Sequence, residues 1–487
     1  MMPVSLSRRQ VLLGGGSAVL VAGTLGRGTR AATTAEAPFA VPACSEVDLI
    51  EHVLARCAFG AAPGDRERLR ALAGDADAAV ERWIEQQLAP GDEDPALRRS
   101  LARLEALAQP VGELYEWKPE VLLRELSSAA LLRAVGSRWQ LREVMVELWS
   151  DHLNIDASKG ECAWLKAADD REVIRRHALG RFRDLIAASA LSPAMLWYLD
   201  GRTNRRANAS ERPNENYARE LLELHTLGVD GGYSQTDVME AARCLTGWTA
   251  RDRHRFRKGR VEFDPALHDD GEKHVLGRRI PAGGGARDLE TLLDVTTSHP
   301  ATARHVATKL CRRFISDVPP AGAVDTVAAA FRTSGGDIPA TLRALLATTA
   351  FRAPASRRAK LKRPFQLVAS ALRTTGARTD GGAPLLEALR SMGHAPFQYP
   401  TPEGAPDVGP AWTGTLLWRW QLAMRLAEGT VPGTSVDVAA LTSRAGGPDA
   451  LAAHLLGRLP YPAERAALTA RPRPLALLLA SPAFQRC

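Results

Sequence analysis

The densest chemistry in the sequence lies at residues 213–228, which read Pro-Asn-Glu-Asn-Tyr-Ala-Arg-Glu-Leu-Leu-Glu-Leu-His-Thr-Leu-Gly. At about 100° per residue, Glu215, Asn216, Arg219, Glu220 and Glu223 share a sector of roughly 140°, while Tyr217, Ala218, Leu221, Leu222 and Leu224 take the opposite side. The spacing predicts a helix with one charged face. Glu215 with Arg219, and Arg219 with Glu223, are pairs four apart, worth only about 0.3–0.5 kcal/mol each on an exposed surface. Left in water, the face is a solvated ladder. Three glutamates nevertheless share one arginine, and Glu220 and Glu223 stand three apart, where like charges repel. Covered by other helices, one of these carboxyls has its pKa raised by burial and by its neighbour, which is the property of a general acid or base. Two carboxylates on one helix approach a substrate from the same side, so glycosidase-type chemistry needs a second carboxylate from elsewhere.

Ser234-Gln235-Thr236-Asp237 then reads as a capping box that opens a helix ending at Gly247. Glu240 and Arg243 on that helix either extend the polar cluster or, the commoner arrangement, form a surface pair three apart. Downstream, His268, Asp269, Asp270 and His274 offer nitrogen and oxygen ligands, but no HExxH or EF-hand spacing is present, and no metal is assigned. The candidate catalytic residues are Glu220, Glu223, His268 and Asp269, with Glu215, Asn216, Arg219 and Arg243 as binding groups. There is no GxSxG elbow, no Walker A lysine after the glycines at 283–285 and no GxGxxG. These absences disfavour common serine hydrolases, P-loop enzymes and nicotinamide enzymes, and no cofactor is indicated.

The elements that must position these residues read as helices. Apolar residues return at three- and four-residue intervals over 46–57, 78–88, 120–148 and 171–191, and Pro/Gly breakers at 62–64, 89–91, 109–110 and 192–193 separate them. Alternating pattern is scarce; Val261-Glu262-Phe263 and His274-Val275-Leu276 flank a turn-like His-Asp-Asp-Gly. The expected fold is predominantly α, a multi-helix globular bundle with a small β-hairpin or ordered loop inserted near 260–280. Residues 342–351 echo 475–484, each an apolar run ending in Ala-Phe, at Phe351 and Phe484. The segments 379–384 and 399–410 read as irregular connection. The expected organisation is a leader over 1–37 and helical regions at 45–200, 201–375 and 376–487.

With 487 residues, 45% hydrophobic and 24% charged, the chain is long enough for two or three domains and has a globular composition. Four of its surplus arginines, Arg8, Arg9, Arg27 and Arg30, precede the first acidic residue, Glu36; without them the formal charge of +8 falls to +4. The other arginines are interleaved with acids, which argues against nucleic-acid binding. Arg8-Arg9 before the modest, glycine-rich apolar stretch 11–25 reads as a twin-arginine export signal, with small residues following at 31–37. The expected location is periplasmic or extracellular, reached through the twin-arginine translocase, with no membrane span in the mature chain. The six cysteines are widely spaced and form no CxxC; Cys44 with Cys57 and Cys162 with Cys244 are conceivable bridges, buried free thiols the alternative.

The run from Asn214 to Trp248, followed by His268-Asp269 and Lys273, resembles the signature of the bacterial family catalogued as domain of unknown function 1800. The likeness extends through His52-Val53-Leu54-Ala55-Arg56 with Phe59-Gly60, Trp149 and His152, Pro193 to Leu196 with Tyr198-Leu199-Asp200, His299-Pro300-Ala301-Thr302-Ala303 and Ser481-Pro482-Ala483-Phe484-Gln485. It adds Lys273 to the binding set, whereas His225 stands where a Phe fits the pattern as well. The resemblance implies an exported helical protein, with a possible co-exported partner of the type catalogued as domain of unknown function 1501, whose members look like sulfatases or phosphatases. The function expected is a cell-envelope, hydrolase-like enzyme with a Glu/Arg/His-Asp polar site. The alternative is a non-catalytic binding or assembly partner of such a co-exported protein.

Overall fold

Helices begin where a short polar side chain meets an apolar repeat. Asp48 caps Leu49–Arg56 by accepting from the Glu51 amide, Asp75 caps Ala76–Leu88 through the Ala78 amide, and Ser234 and Asp237 form the reciprocal box at the start of Gln235–Cys244. A computed structural model describes residues 37–208, 210–251, 258–470 and 473–487. The twin-arginine motif and the apolar stretch behind it lie outside the described residues. Pro38–Cys487 is one compact unit, predominantly helical, whose main apolar core runs from Phe39 to Phe484 and buries Phe182, Phe314 and Phe351 completely.

Two stretches that read as single helices are broken. Residues 120–148 form Pro119–Gly136 and Gln140–His152, because Gly136-Ser137 interrupts the ladder and the buried Gln140 amide donates to the carbonyls of Ala134 and Ser137 at 3.1 and 2.8 Å. Residues 171–191 form a π-turn at Asp170–Ile174, a short Arg175–His177 helix and Phe182–Ala190. Arg175 donates to Asp170, five residues back, at 2.9 Å, a pairing that the wider π-turn brings onto one face. Apolar periodicity carries no information about either break, since buried polar groups make them.

The β structure also differs in its pairing. Val261–Phe263 pairs antiparallel with Trp248–Ala250, and Lys273–Val275 pairs with Arg278–Ile280. Two hairpins therefore replace the single expected one. The second closes through Leu276 and Gly277, both at positive φ (51° and 75°), the requirement of a tight two-residue hairpin turn.

The echoed segments share one construction. Ile338–Ala347 is followed at Thr348, and Pro474–Ala480 at Ser481, by a short exit helix in which the hydroxyl accepts from the amide of Phe351 or Phe484 at 3.2 Å. Each Phe is fully buried. All six cysteines are free and five are buried, so neither Cys44–Cys57 nor Cys162–Cys244 is bridged. Among the described residues no helix is long and apolar enough to cross a membrane.

Candidate active site

The charged-face helix runs from Asn216 to Glu220 and continues as a π-turn, Leu221–Thr226, in which the Thr226 hydroxyl donates to the Leu221 carbonyl five residues back at 2.6 Å. Tyr217, Ala218, Leu221 and Leu222 are buried, as their side of the helix requires. The widened turn also buries His225. Gly228 ends the segment at φ +88°, and a Cβ there would sit 2.7 Å from His305 Nδ1. Only glycine allows that approach.

Carbonyls at the end of a helix lack intrahelical donors and need partners from elsewhere. Here two consecutive ones are met by histidines: His305 Nε2 donates to Leu224 O at 3.1 Å and His152 Nε2 to His225 O at 3.0 Å. A carbonyl can only accept, so His152 carries its proton on Nε2 and leaves Nδ1 bare. Lys309, one turn beyond His305 on Pro300–Phe314, donates to that nitrogen at 3.0 Å. Burial, then the Lys309, His305 and His225 charges, hold His152 well below the ordinary histidine value. Burial also lowers Lys309, to about 8, with Asp151 opposing and Arg312 reinforcing the shift.

Lys309 and His152 line a cleft of about 290 Å³, together with Asp151, Arg312, Arg313, Arg363 and the irregular segment 399–408. That segment is held in place at both ends. The Asn154 amide donates to the carbonyls of Tyr399 and Thr401 at 2.9 and 2.8 Å, Lys360 to Asp407 O at 2.9 Å, and Trp412 Nε1 to Pro406 O at 3.0 Å. Gly404 packs so closely on the Asp151 carbonyl that any Cβ would collide with it. Behind the cleft, Arg363 bridges Glu147 and Asp151 at 2.6 and 2.5 Å, and Arg313 reaches the other oxygen of Glu147 at 2.7 Å.

The residues singled out by pattern fall into three sets. Glu220 and Glu223 are half-buried; Glu220 is raised by burial, by Glu223 and by Glu403, and Glu403 lines the cleft and also acts on Lys309. Tyr233 donates to Glu223 at 3.1 Å. Glu215, Asn216 and Arg219 are satisfied locally: Arg219 donates to Glu215 at 3.1 Å and to Gln235 at 3.0 Å, Gln235 to Glu215 at 2.7 Å, and Asn216 to Leu199 O at 3.2 Å.

The third set is Arg243, His268, Asp269 and Lys273. Arg243 spans Glu240, at 2.8 and 2.9 Å, and Asp269, at 2.7 and 3.0 Å, and Arg206 also binds Asp269. Burial would raise Asp269, but hydrogen bonds from Arg243, the Gly271 amide and Arg206 pull it well below the usual carboxylate range. Lys273 is wholly buried, donating to Asp288 at 2.6 Å and to Gly271 O at 2.8 Å, and His268 Nε2 lies 3.2 Å from the same Asp288 oxygen. His268 is buried while His274 points to solvent. Glu240 and Asp237 accept from the amides of His274 and Leu276 at 2.9 and 2.6 Å, clamping the second hairpin to Gln235–Cys244. Among the described residues, no hydrogen bond or ion pair joins Glu220 or Glu223 to His268 or Asp269.

Pattern reasoning missed Lys309, Arg312, Asp151 and Arg363. They come from three elements far apart in the chain, and the only signal for the place was His152 beside Trp149 in the resemblance. A family model described as Protein of unknown function (DUF1800) matches residues 52–486. No curated protein and no solved structure matches the chain. The match takes in His152, the signature helix whose last carbonyls hold His152 and His305, and the whole lining of the cleft, and by it the chain belongs to the DUF1800 family.

Proposed function

We propose that this protein is an exported, cell-envelope enzyme of the hydrolase kind whose proton-transfer site is the cleft at Lys309. The observation that carries the reading is the Lys309–His152 contact in a cleft open to ligand, with the lysine pushed down to about 8. A general base works best with a pKa near the operating pH, and burial is how a lysine is brought there. Neutral Lys309 takes a proton from water or a hydroxyl group. Glu220, outside the lining but within electrostatic reach of Glu403 on the rim, is raised by burial and by Glu223 and Glu403 and is the candidate acid that returns one to the leaving group. In this reading Glu215, Asn216 and Arg219 fix the glutamate helix, and Arg243, His268, Asp269 and Lys273 fix the hairpin packed behind it. Export through the twin-arginine route rests on Arg8, Arg9 and the apolar stretch that follows.

The test is turnover of chromogenic esters, phosphates, sulfates and glycosides by the mature protein, compared with Lys309→Met and Glu220→Gln. Loss of turnover in both variants, with neither melting below the wild type, is the expected result. Equal turnover in all three proteins, or none with any class, overturns the reading.

A second reading, an assembly partner of a co-exported protein, is favoured by one feature. The helix Leu416–Ala427 turns Leu416, Leu417, Trp418, Trp420 and Met424 outward, with Leu417 64% and Trp420 52% exposed. Contiguous exposed apolar side chains with two tryptophans are the composition of a protein contact. Trp418→Ser with Trp420→Ser would then abolish a stoichiometric complex while leaving the cleft intact.

A further inference from the structure

The helix Pro300–Phe314 presents Lys309, Arg312 and Arg313 to the cleft within two turns, a spacing at which like charges repel. Arg363 adds a fourth cation. The carboxylates around the cleft are already committed: Glu147 behind it to Arg313 and Arg363, Asp151 in its lining to Arg363, and Asp317 and the lining Asp407 to Lys360. Among the described residues, Lys309 and Arg312 have no carboxylate within ion-pairing distance, and Arg312 Nε is buried with no hydrogen-bond partner. Glu403 is exposed at the rim. Asp151, Glu403 and Asp407 act on Lys309 from the lining but none pairs with it. Two cations held together without a paired carboxylate cost free energy that an anion at the same place reduces.

We infer that the cleft binds the oxyanion group of its ligand, a carboxylate, phosphate or sulfate, between Lys309 and Arg312. The inference rests on the cleft being the functional site, as proposed above, but not on turnover there. Lys309 and Arg312 are three apart and converge on one opening. An ammonium and a guanidinium together offer the charge and the multiple N–H donors that an oxyanion accepts. Lys309 binds in its protonated form, the majority form below pH 8, whereas proton abstraction belongs to the neutral form. At about 290 Å³ the cleft is at the lower limit of small-ligand pockets, about 300–1,000 Å³. It therefore fits a small acid or the acidic end group of a larger chain. His152 holds the lysine by its bare Nδ1, so the ammonium is positioned before any ligand arrives.

The experiment is calorimetric titration of the mature protein with sodium phosphate, sulfate and acetate, against chloride at matched ionic strength. Saturable binding of at least one is expected, and the anion that binds most tightly assigns the ligand class. Lys309→Met and Arg312→Met are each expected to weaken it at least about tenfold, the loss of a hydrogen bond to a charged group. Arg304→Met, in the same helix as Lys309 but in an exposed ion pair with Asp325 of the next helix, is expected to bind like the wild type. In the wild type, the bound anion should protect Arg312 from phenylglyoxal, a readout that needs no variant to fold. Absence of saturable binding, wild-type affinity in the two cleft variants, or unprotected Arg312 overturns the inference. Glu220→Gln separates the two readings: anion binding retained with no turnover in any protein sinks the enzyme and leaves the anion site standing.

Discussion

Lys309 Nζ lies 3.0 Å from Nδ1 of His152, a nitrogen kept unprotonated because the opposite ring nitrogen donates to the His225 carbonyl at 3.0 Å. A backbone carbonyl at the end of the signature helix thus decides the tautomer of a histidine on a second helix, and through it the place of a lysine on a third. Disturbing the π-turn at Leu221–Thr226 should move Lys309 without touching it.

Lys309 gives a pH signature. Its folded value, about 8, lies below the ordinary 10.5, so between these values the unfolded chain binds the extra proton and stability rises with pH. The cost of holding the ammonium, roughly 3 kcal/mol, is fully present below pH 8 and gone above 10.5. Urea unfolding of the wild type and Lys309→Met across this window should show the variant's relative stability highest at pH 7 and falling toward pH 10.5. A difference constant with pH refutes the assignment.

Arg363 is the buried link between Glu147 and Asp151. Arg363→Met strands Asp151, leaves Glu147 to Arg313 alone and should cost roughly 3–5 kcal/mol in denaturant unfolding. Arg363→Lys should recover only part of this, because an ammonium cannot reproduce the two-pronged geometry. Full recovery would show that charge alone matters there.

Asp269 should govern acid sensitivity in the hairpin region. Its folded value lies below the ordinary 3.8, so its contribution is complete above that pH and is lost as pH falls through the folded value. Asp269→Asn should cost roughly 2 kcal/mol at pH 7. The gap to wild type should narrow on acidification, as read from melting temperatures at pH 7 and pH 3.

The echoed exits make a matched pair. Thr348→Ala and Ser481→Ala each remove the hydroxyl that caps a short helix and should each cost about 1 kcal/mol. The two losses should add, since no hydrogen bond links the two caps to each other. A double variant clearly worse than the sum would reveal coupling through the shared core.

Arg8→Lys with Arg9→Lys keeps the charge but removes the paired guanidinium groups. The precursor should then accumulate, folded, in the cytoplasm. Unchanged export would move the protein to another route.

The helical class, the cap at Ser234, the buried side of the signature helix and the matched exits at Phe351 and Phe484 were all legible in the sequence. Each depends on residues a few positions apart, within reach of a 3.6-residue period or a local hydrogen bond. The pairing of Trp248–Ala250 with Val261–Phe263, the break at Ser137 and the π-turns were not, because strand partners and buried polar contacts leave no local period. The cleft lay further out of reach. His152, Lys309, Arg363 and Gly404 are separated by scores of residues, and segment 399–408 carries only the proline and glycine of a connection. Only packing decides that the last carbonyls of one helix meet two histidines from others, that Glu147 and Asp151 are consumed by Arg363, and that Lys309 and Arg312 remain facing an open cleft without a carboxylate of their own. Electrostatics between elements depends on distances that tertiary structure alone sets, and a charge on a pattern becomes a functional group only when its counter-charges have been counted in space.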